Sequence, residues 1–257
     1  MEITGFNRVF YFFHIGYTPS IISSSPLMDD DKMRQWREYE KTYRIQVPQF
    51  QIPHGKFSLS KKEVQQLLTG YIVITEKMDG ADTGIYKRKD KFFLQKRRGN
   101  ADDSHEQFKF FTKRWMYDNY EKLESLPEDT VTYGELMRCV HSIYYDKLPD
   151  WFLVFDIYDL NKERYLTWIE VVKICEEVGL STVPYIGCSD QKLSTHELGM
   201  LVPKESKYGN TAEGIVIKNY KKQVRGKIVK PEFVKTVDES KNWRKLPVRY
   251  NKVIEEI

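Results

Sequence analysis

A lysine becomes a nucleophile only when it can lose its proton, and the octapeptide Ile74-Thr75-Glu76-Lys77-Met78-Asp79-Gly80-Ala81 sets one where that could be arranged. The preceding run Tyr71-Ile72-Val73-Ile74-Thr75 has the β-branched and aromatic content of a central strand, so Lys77 stands where a rigid element ends and an Asp-Gly turn begins. A free lysine amine has a pKa near 10.4, which leaves about one in a few thousand neutral at pH 7. Attack on an electrophile therefore needs neighbouring positive charge, partial burial, or both, to depress that pKa. Taken alone, the tetrapeptide is most simply a solvated lysine beside an ordinary turn.

Other groups able to do chemistry recur at strand ends downstream: Arg97-Arg98-Gly99, Tyr133-Gly134-Glu135-Leu136, Phe155-Asp156-Ile157, Glu213-Gly214-Ile215-Val216-Ile217-Lys218 and Lys227-Ile228-Val229-Lys230. Each has a plain structural reading. Phe155 suits an apolar core, Glu135 could cap a turn, and Glu213 could join an ordinary salt bridge. Arg97 and Arg98 are adjacent, so strand alternation sends them to opposite faces and only one points inward. The five histidines are scattered and read as structural or exposed, and Asp29-Asp30-Asp31 reads as a solvated helix start.

The elements that must position these groups follow from pattern. Residues 1–50 read as an arm with an aromatic strand from Val9 to Phe13, a Ser/Pro loop and a charged helix from about Asp30 to Tyr43. Ser60 caps a short helix with a carboxylate three residues on. Residues 84–86 and 91–96 form a hairpin around the turn KRKDK, residues 104–124 a helix, and Thr130–Met137 and Trp151–Tyr158 strands. A helix near Trp168 to Val178 ends at Gly179, Pro184 marks a turn, and two last strands cover Gly214–Lys218 and Gly226–Val229.

At 257 residues the chain is long enough for a substantial core, and 40% hydrophobic with 30% charged residues reads as soluble and globular. Lys+Arg of 41 against Asp+Glu of 37 gives a net charge of +4, which permits nucleic-acid binding without demonstrating it. Cys139, Cys175 and Cys188 make no CxxC pair or metal-ligand ladder, and the amino terminus has no basic leader followed by a long apolar run. An intracellular protein, cytoplasmic or nuclear, is expected.

Taken in order, Lys-x-Asp-Gly, the Gly-Glu pair, the strand-borne aromatic, Glu-Gly-x-Val-x-Lys and the lysine-bearing last strand resemble the nucleotidyltransferase motifs of covalent ligases and mRNA-capping enzymes. Within that superfamily the chain most resembles ATP-dependent RNA ligases of the phage and kinetoplastid-editing type. The resemblance rests on ITEKMDGA, KRRG, VFDI and KIVKPEF, with FQIPH as a lead-in, and covers roughly residues 47–240. It implies an α+β nucleotidyltransferase fold, of the ATP-grasp-like ligase adenylation kind, with antiparallel sheets and flanking helices. It also implies an N-terminal extension over 1–46 and an adenylyltransferase domain over 47–257. Only 22 residues follow Lys235, so no C-terminal oligonucleotide-binding barrel is expected.

The implied activity is ATP-dependent joining of RNA 5′-phosphate and 3′-hydroxyl ends, with Mg²⁺ or Mn²⁺, through a lysyl-AMP on Lys77 and an adenylylated 5′ end. Lys227 and Lys218 would contact phosphate and complete the catalytic set. Lys230 would add positive charge, Glu76 and Phe155 would hold and stack adenine, Arg97 and Glu135 would address the ribose region, and Glu213 would bind metal. RNA is the implied partner, with room for an accessory protein and no membrane. Two departures stand out: Asp82 occupies a position where these RNA ligases more often carry asparagine, and the last motif has Lys227 and Lys230 where Lys-x-Lys is usual. Sealing of DNA or hybrid nicks, and a non-catalytic RNA-binding module that keeps the fold, are the alternative readings.

Overall fold

Alternation along one strand, β2 (Ile72–Lys77), sends its side chains into two different apolar clusters. Ile72 and Ile74 point into a cluster with Ile215, Ile217, Ile228 and Leu67, whereas Val73 points the other way into a larger cluster built on Phe111, Trp115, Phe152 and Val171. The computed structural model describes residues 37–52, 55, 57–88, 91–96, 106–234 and 247–254. Arg97 and residues 1–36, with the strand, loop and acidic run expected there, lie outside them.

The first sheet has the order β1-β11-β10-β2-β9, where β1 is Tyr43–Arg44, β9 Tyr185–Ser189, β10 Gly214–Asn219 and β11 Val224–Val229. Its smaller core is closed by α1 (Lys61–Leu67), which starts from a capping box in which Ser60 and Glu63 satisfy each other's backbone N–H groups. The second sheet runs β4-β3-β5-β6-β7, with β3 Ala81–Arg88, β4 Lys91–Lys96, β5 Thr130–Leu136, β6 Phe152–Asp159 and β7 Arg164–Tyr165; β8 (Ser181–Thr182) pairs with β6. Apart from β1 on β11 and β8 on β6, every pairing is antiparallel. This is the expected α+β class, and β3 with β4 is the expected hairpin.

Helical residues 106–124 pack on the second sheet as α2 (Glu106–Phe110), a π-helical turn (Phe111–Trp115), α3 (Met116–Asp118) and α4 (Tyr120–Glu124). The wide turn stacks Phe111 on Trp115 at 4.6 Å between ring centroids. α5 (Trp168–Val178) buries Trp168, Val171 and Cys175, and Gly179 ends it at φ 76°, a left-handed C-cap that glycine adopts without a Cβ clash. α6 (Thr195–Met200) and the β7, β8 and β9 strands had no counterpart in the sequence pattern, because two-residue pairings and a six-residue helix are too short to show a period and β9, YIGCS, buries no residue fully and does not alternate.

The charged helix expected to reach Tyr43 is corrected by the structure over its described part: residues 37–42 have no regular secondary structure and Tyr43–Arg44 is a strand on β11. Burial of Tyr39 among Tyr133, Phe155 and Tyr165 overrides the local helical charge pattern. Ile45 and Val47 belong to the smaller core, and the Arg37 carbonyl accepts from Gln95 and Tyr133, so this segment packs with the two sheets. Among the described residues no helix is long and apolar enough to cross a membrane.

Candidate active site

Lys77 ends β2 on the face that looks toward the second sheet. Its Nζ donates to Glu213 Oε2 at 2.7 Å and to the Met78 carbonyl at 3.2 Å. Glu213 precedes β10, whose first residue, Gly214, pairs with Lys77. A Cβ on Gly214 would stand 2.0 Å from the Ile228 carbonyl oxygen, so the bare backbone is what lets β10 and β11 close at this point. Gly80 is similar: a Cβ there would lie 2.6 Å from the Leu136 carbonyl, and its N–H donates to Glu135 Oε1 at 3.0 Å. The two glycines of the Asp-Gly and Glu-Gly pairs thus serve close approach around the lysine.

Asp79 is a tether. Its carboxylate accepts from the N–H groups of Ser142 (2.6 Å) and Ile143 (3.0 Å), and its own N–H donates to the Tyr145 hydroxyl at 3.0 Å. The loop that supplies these partners is laced from the other side by residues 249–254. Asn251 accepts from Tyr145 N–H at 2.9 Å and donates to the Met137 carbonyl at 2.5 Å, while Lys252 N–H donates to the Tyr145 carbonyl at 2.8 Å. Replacing buried Asn251 by Ala strands a backbone donor and acceptors beneath the catalytic turn, so a loss of about 2–3 kcal/mol in chemical denaturation is expected. A loss under about 0.5 kcal/mol would show that the lacing is dispensable.

Three carboxylates decide the protonation of Lys77. Burial opposes its charge, but Glu213, then Glu135 and Asp79, outweigh burial and raise the amine's pKa above its ordinary value. The expected depression by Lys227 and Lys230 is therefore corrected for the ligand-free protein: the negative groups at Lys77 outnumber the positive ones. Burial pushes Glu135 up to about 8, aided by its cross-strand neighbour Asp82, and raises Glu213 against the pull of Lys77. In Glu213→Gln the strongest partner of the ammonium is gone and the Lys77 pKa falls. Labelling of Lys77 by a small amine-reactive reagent without ATP, followed by mass against pH, is expected to move its midpoint down by about one to three units. An unmoved midpoint would show that Glu213 does not hold the proton on Lys77.

The structure brings Lys77, Glu135 and Glu213 together and puts Lys227 on the same face of the sheet, opposite Val216, close enough to lower the Glu213 pKa. Lys230, three residues on, instead donates to the Lys204 carbonyl at 2.9 Å, and its charge acts on Glu76. Glu76 leaves β2 on the side opposite Lys77; Oε2 accepts from Lys207 N–H at 3.1 Å and Oε1 is buried without a partner. Burial raises its pKa. Lys218 pairs with Val73, four residues and thus about 13 Å along the strand from Lys77. Its Nζ donates to the Phe155 carbonyl and lies 3.3 Å from Asp156, and burial lowers its pKa to about 8. Phe155, at a register shift between β5 and β6, is half-buried with Tyr39 packed against it at 4.9 Å.

Asp156, part of the strand motif Phe155-Asp156-Ile157, has no role of its own in the sequence pattern. It is fully buried and accepts from the hydroxyls of Tyr39 (2.5 Å) and Tyr220 (2.8 Å), with Lys218 and Arg225 completing the cluster at 3.3 and 3.6 Å. An acid inside the apolar run WFLVFDIY is its only sequence signal. Tyr39, Arg225, Tyr145 and Asn251 have none, since their partners lie far along the chain.

No group of three or more His, Cys, Asp or Glu among the described residues could hold a metal by itself. Magnesium usually enters on one or two carboxylates together with substrate phosphates, and Glu213 and Glu135 beside a lysine fit that mode rather than a resident ion.

Two facing, largely antiparallel sheets have Lys77, two carboxylates and Lys227 on the faces that look toward each other, the layout of the ligase-type nucleotidyltransferase fold. Residues 70–231 match the RNA ligase family profile, and the chain belongs to that family. Structures of a Naegleria gruberi RNA ligase share the fold. One variant solved with ATP and Mn superposes with a TM-score of 0.54 at 20% identity, over 67% of this chain and 53% of that one. Another, with AMP and Mn, gives 0.56 at 19% identity over 77% and 57%. The chain thus spans just over half the length of these structures. No curated protein matches it in sequence.

Proposed function

We propose that this protein is an ATP-dependent RNA ligase that joins 5′-phosphate and 3′-hydroxyl ends through a Lys77–AMP intermediate. The observation that carries the reading is the 2.7 Å contact between Lys77 Nζ and Glu213 at the end of β2, with Glu135 and Lys227 around it, in a chain of the RNA ligase family. Lys77 gives one proton to Glu213, the acceptor already on its nitrogen, and the neutral amine attacks the α-phosphorus of ATP. The N–P bond forms as the bond to the bridging α–β oxygen breaks, pyrophosphate leaves, and the nitrogen sheds a second proton. Lys227 stabilises charge developing on the transferred phosphoryl group. A 5′-phosphate oxygen of RNA then takes the AMP, and a 3′-hydroxyl oxygen displaces AMP to form the phosphodiester.

Glu213 and Glu135, together with the ATP phosphates, would hold a divalent ion, which would supply neutralisation of phosphate charge. For adenine, the half-exposed ring of Phe155 is the stacking surface in this reading, while Glu76, on the far side of β2, acts through the loop at residues 206–207. Lys218 and Lys230 are second-line cations, Lys218 through its neutralisation of Asp156. All three cysteines are free thiols, which supports an intracellular setting. The test is incubation with ATP, Mg²⁺ and 5′-phosphorylated RNA: AMP should appear first on the protein, then on the RNA end, and then be released as strands join. Adenylylation with transfer only to DNA ends would redirect the reading to nick sealing in DNA.

A further inference from the structure

Beyond Lys77, the face of β2 that carries it continues into an open cavity of about 1200 Å³ that none of the groups named so far as catalytic lines. It lies between β2 and β9 on one side and α5 on the other. Sites for a single small molecule are typically about 300–1,000 Å³, so this one admits more than one base. Aromatic rings line it: Trp168 is buried, Tyr208 partly so, and Tyr71 and Tyr185 have 50% and 52% of their surfaces exposed.

Charge at the rim has one dominant sign. Arg164, Lys173, Lys207 and Lys221 surround a single acid, Glu176. Arg164 is held by Glu170 and Lys173 lies 3.8 Å from Glu177, whereas Lys207 and Lys221 make no ion pair among the described residues. Large half-exposed rings beside unneutralised ammonium groups are the makings of a stacking platform for bases whose backbone phosphates run past the lysines. Lys207, on the cavity wall, also donates its N–H to the carboxylate of Glu76, the residue before Lys77 in sequence.

We infer that this groove holds unpaired bases of the RNA strand whose end is being joined, stacking them on Tyr71 and Tyr185 while Lys207 and Lys221 meet the phosphates. This rests on the RNA ligase reading and adds a location for the polynucleotide that is separate from the nucleotide pocket.

The experiment uses the full chain and two double variants, Tyr71→Ala/Tyr185→Ala and Tyr71→Phe/Tyr185→Phe. Two readouts are taken in parallel: anisotropy of a labelled single-stranded oligouridylate, and intact mass after ATP and Mg²⁺. Both tyrosine hydroxyls hydrogen-bond Cys188, so the Phe pair controls for loss of those bonds. The alanine pair is expected to bind the oligonucleotide about 10- to 100-fold more weakly and to form the AMP adduct normally, with the Phe pair close to wild type. Lys221→Ala is expected to reduce the salt slope by about 0.7. Unchanged oligonucleotide affinity in the alanine pair would overturn the proposal, and so would a loss of the adduct, which would assign the groove to ATP. Wild-type protein without an adduct would remove the ligase reading instead, and the affinity comparison would still decide the groove.

Discussion

Lys77→Ala protein mixed with ATP and Mg²⁺ is expected to keep its mass unchanged, while the wild type gains one AMP. Removing a covalent nucleophile leaves no second route to the adduct, so the expected drop is about 10³-fold or more. Alanine also breaks the ion pair with Glu213 and leaves that carboxylate buried without its partner. Lys77→Arg separates the two effects. Its guanidinium restores a cation against Glu213 but does not deprotonate, so the variant should fold near wild-type stability and form no adduct. An adduct on the arginine variant would move the nucleophile elsewhere and end the assignment of Lys77. Wild-type protein free of adduct, when folded and not already adenylylated, would favour a binding module that retains the fold.

Asp156→Ala has the largest effect expected on stability. The carboxylate is fully buried and is the counter-ion of both Lys218 and Arg225, and it also accepts from the Tyr39 and Tyr220 hydroxyls. Two buried cations without a partner cost about 3–5 kcal/mol, which for a chain of this size lowers Tm by roughly 6–20 °C. Lys218 is the partner that can yield, since burial has already brought its pKa down to about 8. Because that folded pKa lies below the unfolded value, the charged form is penalised below pH 8 and stability rises with pH between about 8 and 10.4. In Asp156→Ala the Lys218 pKa falls further and the rise begins at lower pH. Adding Lys218→Met should recover part of the loss, whereas strictly additive losses would show that the two groups do not share one cluster.

Tyr39 shows how the arm enters this account. It reaches Asp156 from a stretch without regular secondary structure, and Arg225 lies over its ring at 4.7 Å. The segment from Arg37 therefore helps to build the wall of the inter-sheet space. A boundary for the catalytic domain near residue 37, rather than near 47, is the division we propose on this packing.

What the sequence determined alone were the pieces whose logic is local. Strand β2 and its terminal lysine, the hairpin β3–β4, the helix capped at Ser60, the helix that ends at Gly179, and the last two strands all follow from alternation, capping and turn chemistry within a few residues. The Asp-Gly and Glu-Gly pairs were legible as motifs, though the reason for their glycines, a carbonyl within 2.0–2.6 Å of a would-be Cβ, is visible only when Gly80 meets Leu136 and Gly214 meets Ile228 in the folded sheets. The tertiary structure alone decided the electrostatics. Lys77 is held protonated because Glu213 and Glu135 reach it from the start of β10 and from β5 and add to the nearby Asp79, and Lys218 is drawn to Asp156 rather than standing beside Lys77. Coulomb interactions depend on distance through space, and neither the sign of the net field at an amine nor the partner of a buried acid is encoded in its immediate neighbours.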